Sequence, residues 1–263
     1  MVDKTLQDQI SIGKIFKDRV GYDFMSHLLT YQVTGGRSYG TSLDSKNSDR
    51  DYNGLFAPPL RNIIGVKHVH DKTWAYLDPD KGIDVALYPL QHWFRLLAKE
   101  NPTITCMLWN NPKFILFRNE LFDDLCDIRA DLLSKNAYHA YRGYAKHQLH
   151  LLKKSETEEP YIYDFKCAMH AVRVIRMGIE HLELGRIIPD RTLYDAPELL
   201  DIRRGKWAFK NVLDLLESLV NDLDRALAAS ALPPEPPYEV LDDFCADAFW
   251  QMWRQTGEPY DAV

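Results

Sequence analysis

No apolar run in this chain approaches the ~20 residues a membrane-spanning helix needs, so no membrane span is expected. The opening Met1-Val2-Asp3-Lys4 leads into polar residues, without the apolar stretch of a secretory signal. Positive charge is not in excess either. Lys and Arg number 32 against 38 Asp and Glu, a net charge of −6, which disfavours a protein that coats long duplex DNA. Cysteine is scarce, and Cys106, Cys126, Cys167 and Cys245 form no C-x-x-C pair. Their surroundings are mostly apolar, as in Ile104-Thr105-Cys106-Met107-Leu108, so free buried thiols in a reducing cytoplasm are expected. There is no internal repeat. The one biased stretch, Pro233-Pro234-Glu235-Pro236-Pro237, reads as a stiff connector before a last helix over Tyr238 to Arg254.

What remains is a globular composition, 46% hydrophobic and 27% charged, in 263 residues, enough for one compact protein or two small domains sharing a cleft. The first third alternates short apolar runs with turn residues. Ser26 to Thr34 reads as a helix end running into a strand, followed by a Gly-rich turn over Gly35 to Gly40. Strands are expected at Asp51 to Phe56, Thr73 to Leu77 and Ile83 to Tyr88, the last two joined by the turn Asp78-Pro79-Asp80-Lys81-Gly82, and Leu90 to Lys99 has helical spacing. From about Asn119 the chain reads as helical, with apolar residues at helical spacing over Leu121–Leu133, Tyr138–Lys154, Asp164–Leu184 and Lys206–Ala228. The expected organisation is α+β: a mixed-sheet domain over residues 1–112, then an all-helical domain over 113–263.

Chemistry concentrates in Gly35-Gly36-Arg37-Ser38-Tyr39-Gly40 and in Ser48-Asp49-Arg50-Asp51. Asp49 and Asp51 are two apart at the start of a strand, so both side chains point to one face. Two carboxylates so close repel each other unless a cation lies between them, and a hard divalent ion with oxygen ligands suits them. Asp84, between Ile83 and Val85 on a later apolar strand, is a costly acid unless paired or bound to metal. If the two strands are neighbours, three carboxylates converge and can hold two ions, which is what an in-line displacement at phosphorus requires. Gly35 and Gly36 lack β-carbons and let backbone N–H groups approach a phosphate, and Ser38 can add a hydroxyl donor. A lone D-x-D or Gly-Gly is usually only a turn; the conjunction of all these features is far rarer.

In the helical half, Lys166, His170 and Arg173 lie at i, i+4 and i+7 and stack along one helix face. Such a cationic stripe suits either a wall facing triphosphate oxygens or a solvated face paired with acids such as Glu180. His170 fits a hydrogen-bonded core histidine equally well. Arg203-Arg204-Gly205-Lys206 and the helix carrying Arg142, Lys146, His147, Lys153 and Lys154 offer basic surface. His68/His70 and His147/His150 only superficially resemble metal spacings, and Trp93 and Trp109 read as packing anchors.

The pattern apolar-Gly-[Gly/Ser], a gap, then Asp-x-[Asp/Glu] resembles the DNA polymerase β-type nucleotidyltransferase superfamily. Within it the chain looks like the predicted nucleotidyltransferases associated with RNA ligases and RNA repair in bacteria and phages. The matches are Gly35 to Thr41, Ser48 to Asp51, Asn101-Pro102 followed by Met107-Leu108-Trp109, and Lys166 through Gly178. Gly36 stands where those relatives more often have Ser, and Arg50 where Ile or Val is usual. The resemblance implies a polymerase β-like palm domain and a helical domain closing a nucleotide cleft. It implies Asp49, Asp51 and Asp84 as ligands of Mg²⁺ or Mn²⁺, with Asp84 also helping to deprotonate the acceptor hydroxyl. Gly35, Gly36, Arg37, Ser38, Lys166, His170 and Arg173 are the expected nucleotide-binding set. The expected activity is transfer of a nucleotidyl group from a nucleoside triphosphate to a hydroxyl, on an RNA or tRNA end. The competing readings are AMP transfer to a protein hydroxyl, a small-molecule acceptor, and a catalytically silent nucleotide sensor or RNA-binding module. A metal-dependent phosphohydrolase ranks last, because no His-Asp pair lies near Asp49 or Asp84.

Overall fold

The computed structural model describes residues 4–44, 49–66, 72–154, 159 and 161–257. Helix α1 (Lys4–Val20) leads into strand β1 (Leu28–Thr34), the five-residue helix α2 (Gly35–Tyr39) and strand β2 (Arg50–Phe56). A short α3 (Leu60–Ile64) precedes the hairpin of β3 (Trp74–Asp78) and β4 (Ile83–Pro89), then α4 (Leu90–Leu97), α5 (Pro102–Leu108) and strand β5 (Ile115–Arg118). The rest is helical: α6 (Glu120–Asp127), α7 (Ala137–Lys154), α8 (Phe165–Leu184), α9 (Ala196–Arg203), α10 (Phe209–Ala229) and α11 (Tyr238–Thr256). The protein is thus α+β, with one mixed five-stranded sheet in the order β3-β4-β2-β1-β5. Among the described residues, no helix is long and apolar enough to cross a membrane.

Alternation along the strands assigns the two sheet faces. Tyr31, Val33, Tyr52, Ile83, Val85 and Leu87 pack with Ile12 and Phe16 of α1 in one apolar cluster. Gln32, Thr34, Asp51, Asn53, Asp84 and Ala86 fall on the opposite face, since Gln32 pairs Asn53, Thr34 pairs Asp51, and Asp51 pairs Asp84. That face is partly covered by α4 and α5 and is left open at the end that carries the acids.

The helical half is organised round α8. Asp164 caps its start, its side chain accepting from the Cys167 N–H at 2.8 Å, and Gly185 ends it in the left-handed conformation. Helices α7 and α10 flank it, and the α7 contact is close. A β-carbon on Gly178 would lie 2.7 Å from the Tyr141 ring, so only glycine admits this approach. The apolar cluster around α8 includes Tyr39 of α2 and Cys106 of α5, so this core continues to the edge of the sheet.

Several expectations on element limits are corrected. The Gly-rich stretch is a short helix, not a simple turn. The helix expected over Leu121–Leu133 stops at Asp127, where the Arg129 guanidinium takes the Cys126 carbonyl at 2.8 Å and turns across Trp109. Helix α10 starts at Phe209, not Lys206. The expected domain division at residues 112 and 113 is a separate matter: it falls in the link between α5 and β5, and β5 pairs with β1 as the edge strand of the sheet. Ser48, His68 and His70 lie outside the described residues.

Candidate active site

Asp51 and Asp84 are direct register partners on the parallel strands β2 and β4. Neighbouring strands lie about 4.8 Å apart, so the two carboxylates rise side by side from one face. Asp49 precedes β2 and faces the turn at Gly82, whose carbonyl accepts from the Arg50 N–H at 2.7 Å. Burial, then the charges of Asp84 and Asp49, push Asp51 up from the ordinary carboxylate value to about 6, while Lys166 and Arg37 pull it back. Among the described residues no hydrogen bond or ion pair satisfies any of the three acids.

The glycine turn is built against this cluster. Gly35 has φ of 69°, and a β-carbon there would collide with the Asp51 carboxylate, so the backbone itself sits against the acid. Thr34 precedes α2 but does not cap it, because its hydroxyl meets the Tyr39 phenol at 3.1 Å. The leading N–H groups of α2 therefore carry no side-chain cap, the arrangement that suits an anion at a helix start. Arg37 is half-buried beside Asp51. Ser38 is placed differently from expectation: it is buried, and its hydroxyl donates to the Gly35 carbonyl at 3.2 Å.

The stripe on α8 is graded in depth. Lys166 is exposed and close enough for Asp51 to feel its charge. His170 is half-buried; burial and then Arg173, Lys166 and Arg203 press its pKa down to about 3, so it is a neutral imidazole at physiological pH. Arg173 is only 5% exposed, lies over the Tyr39 ring at 4.1 Å and donates to the Met177 sulfur at 3.2 Å. Glu180 is not their partner, since it receives Arg191 at 2.6 Å. One cation belongs here that spacing alone did not single out. Arg203 of α9 donates to the Thr41 carbonyl, and its guanidinium would lie 3.3 Å from a β-carbon on Gly36. It comes from 162 residues along the chain, so no local pattern could join it to the glycine turn.

Among the described residues, no group of three His, Cys, Asp or Glu side chains already stands close enough to hold a metal ion. The donor set nevertheless suits a hard divalent cation. It consists of carboxylates on adjacent strands, it carries uncompensated like charge, and the glycine beside it leaves room where any other residue would place a β-carbon.

Residues 23–247 match the family described as the RNA repair pathway DNA polymerase beta family. The chain belongs to that family. This match spans the sheet, the glycine turn, all three acids and the helical half into α11. Among solved structures, a nucleotidyltransferase-like protein from Exiguobacterium sibiricum 255-15 is similar at 13% identity, over 92% of this chain and 78% of that one, with a TM-score of 0.29. No curated protein compared with the chain matches it.

Proposed function

We propose that this member of the polymerase β-like family is an active nucleotidyltransferase that moves a nucleotide from a nucleoside triphosphate to the hydroxyl of an RNA end, releasing pyrophosphate. The observation that carries this reading is the pairing of Asp51 with Asp84 on adjacent parallel strands beside Asp49, where burial and mutual repulsion outweigh the pull of Lys166 and Arg37. Decay to a silent sensor would be expected to cost at least one of these acids, since their mutual repulsion is a burden without a role.

Asp49, Asp51 and Asp84 would hold the divalent cation, Mg²⁺ or Mn²⁺. Such an ion, when bound, supplies Lewis-acid stabilisation of charge on the reacting phosphate and a lowered pKa at an attacking hydroxyl. The chain's own groups supply the rest. The start of α2 and Arg37 receive phosphate oxygens through N–H donors, and Lys166 extends its ammonium toward the same space. Neutral His170 offers one donor without adding a charge. Asp84, the more exposed of the strand pair, would accept the acceptor's proton. Residues 1–112 would carry the chemistry and residues 113–263 the wall that closes over the nucleotide. The family's description as an RNA repair pathway favours RNA as acceptor over a protein hydroxyl.

The test is a label-transfer assay with pyrophosphate release followed in parallel, using α-labelled nucleoside triphosphates, Mg²⁺ or Mn²⁺, an RNA pool, and the Asp49→Asn variant as control. Label entering RNA with wild-type protein only is the expected result. Binding of triphosphate without transfer in any lane would favour the sensor, and label in the protein itself would favour the protein acceptor.

A further inference from the structure

We infer that a cavity next to the catalytic face holds the single-stranded RNA segment that leads into the acceptor hydroxyl. This rests on the reading of RNA as the acceptor. The cavity, about 420 Å³, lies between the loop joining α5 to β5 and the loop from Arg186 to Tyr194. That volume is within the ~300–1,000 Å³ range of small-ligand sites.

Its position follows from the sheet. Asn110 forms part of the wall and is held by two bonds from its amide, to Gln32 Oε1 at 3.1 Å and to the Val33 carbonyl at 3.0 Å. Gln32 lies on the same face as Asp51, and the next β1 residue on that face, Thr34, is the register partner of Asp51. From strand spacing and rise, this wall stands on the order of 10 Å from the acids, a distance that one or two nucleotides span.

Its chemistry is that of a single-strand site. The Arg129 guanidinium lies 4.6 Å over the Trp109 indole, a flat cationic surface on which a base can stack. Trp109 Nε1, Asn110 Oδ1 and Arg129 Nε are buried with no hydrogen-bond partner among the described residues. Such groups cost stability in the free chain, and a base edge reached by a small side-chain rotation would satisfy them. Arg118 and Arg186 add charge to the lining. Arg186 is exposed and no carboxylate among the described residues pairs with it, while Arg118 meets Asp123 across a half-exposed gap. The acid in the lining, Asp190, is already taken by Lys113 at 2.9 Å and Asn111 at 3.0 Å. Tyr194, 58% exposed, stands at the mouth. In a chain of net charge −6, this concavity is locally positive and has aromatic walls, which suits a polyanion carrying bases.

The experiment measures binding of a fluorescein-labelled short single-stranded RNA by anisotropy, with the full chain. Four proteins are compared: wild type, Arg186→Glu, Tyr194→Ser, and Lys146→Glu on the exposed basic face of α7. Label transfer to the same RNA and triphosphate affinity are followed in parallel. The expected result is an RNA affinity weakened roughly tenfold by Arg186→Glu and severalfold by Tyr194→Ser, with triphosphate affinity unchanged and Lys146→Glu within about twofold of wild type. Both substitutions lie at exposed positions, so folding is retained, and matched thermal melting verifies it. RNA bound and labelled equally by wild type and by both cavity variants would overturn the inference and leave the RNA-acceptor reading standing. The same holds if Lys146→Glu alone weakens binding. Wild type that neither binds nor labels RNA, while transferring label to a protein hydroxyl, would overturn the RNA reading and the inference with it.

Discussion

Asp195, Glu180 and Glu198 in the helical half each form an ion pair with an arginine, whereas Asp49, Asp51 and Asp84 at the sheet form none among the described residues. Arg37 and Lys166 act on Asp51 only through their charge. Arg191, 3% exposed, bonds Glu180 at 2.6 Å and Asp195 at 2.7 Å, and Arg176 bridges Asp195 and Glu198 at 2.6 and 2.7 Å. Burial pushes Asp195 up, but the hydrogen bonds and charges of Arg191 and Arg176 outweigh it and leave the carboxyl below its ordinary value. Asp51 moves the other way, to about 6. The same contrast recurs within β2. Arg50 and Tyr52, on the α1 face, both bond Asp8, at 2.6 and 3.0 Å, while Asp49 and Asp51 project to the other face with no such partner. Cations are therefore available in this chain and are spent on structural acids. A cluster with no ion-paired arginine is what the proposed binding of a divalent cation requires.

The largest expected effect breaks the sheet cluster. Asp51→Asn should lower transfer roughly a thousandfold, since a carboxylate that holds the catalytic ion underlies several kcal/mol of transition-state stabilisation. Stability should move oppositely: removing one of three repelling charges should leave the fold intact and raise Tm by a degree or more. Turnover equal to wild type would remove this site from consideration, and a drop in both activity and Tm would make Asp51 structural. In the helical cluster the signs reverse. Arg191→Ala strands the Glu180 and Asp195 carboxylates and should cost about 3–5 kcal/mol in urea denaturation. The bond from the Arg191 backbone N–H to the Tyr39 carbonyl, 3.1 Å, survives this substitution, so α2 should stay in place. A loss below about 1 kcal/mol would place this network with ordinary surface pairs.

A third acid sharpens the comparison by being neither paired with arginine nor left charged. Glu100 is fully buried with φ of 53°, and its Oε1 accepts from both the Ser134 N–H at 2.7 Å and its hydroxyl at 2.9 Å. Burial pushes it up to about 8, against the pull of those two bonds, and burial presses His181, 3.7 Å away, down to about 4. At neutral pH the pair is a neutral acid beside a neutral imidazole. A folded-state pKa above the unfolded one means stability present at low pH and lost as pH rises from about 4.5 through 8. Glu100→Gln keeps the acceptor for Ser134 and removes the ionisation. It should flatten this decline and leave the variant about 2 kcal/mol more stable than wild type at pH 9, as a series of melts across pH would show. Parallel pH curves for the two proteins would refute the assignment.

How much of this was legible in the sequence depends on range. The strand carrying Asp84, the turn at Asp78 to Gly82 and the long helices declare themselves by local period and composition, and the structure has them within a few residues. Helix α1 does not, because Gly13 and the isoleucines Ile10, Ile12 and Ile15 dilute helical preference. The four residues of β5 are too few to establish a period. The departure at Arg50 is visible in the sequence but not its cause, since Asp8 sits 42 residues earlier on that unread helix. Lys166, His170 and Arg173 share a face as their spacing says, yet spacing carries no depth, and depth is what separates them. Arg203 and Asn110 reach the site only through tertiary packing.

That gradation in depth makes the smallest prediction the most discriminating. Of the three aligned residues on α8, Arg173 is committed to the Tyr39 ring and His170 is uncharged, so Lys166 alone can follow a phosphate with a mobile positive charge. Being exposed, it is screened, and its removal should cost about tenfold in triphosphate affinity. Lys166→Ala should therefore raise KM for the triphosphate while kcat falls less, and Lys166→Arg should restore most of the loss because the charge is kept. Arg173→Ala should lower Tm, because it removes a buried cation from an aromatic face, and that variant serves as the structural control. If Lys166→Ala instead lowers kcat and leaves KM alone, the ammonium acts on the transition state, as a second positive charge on the departing pyrophosphate.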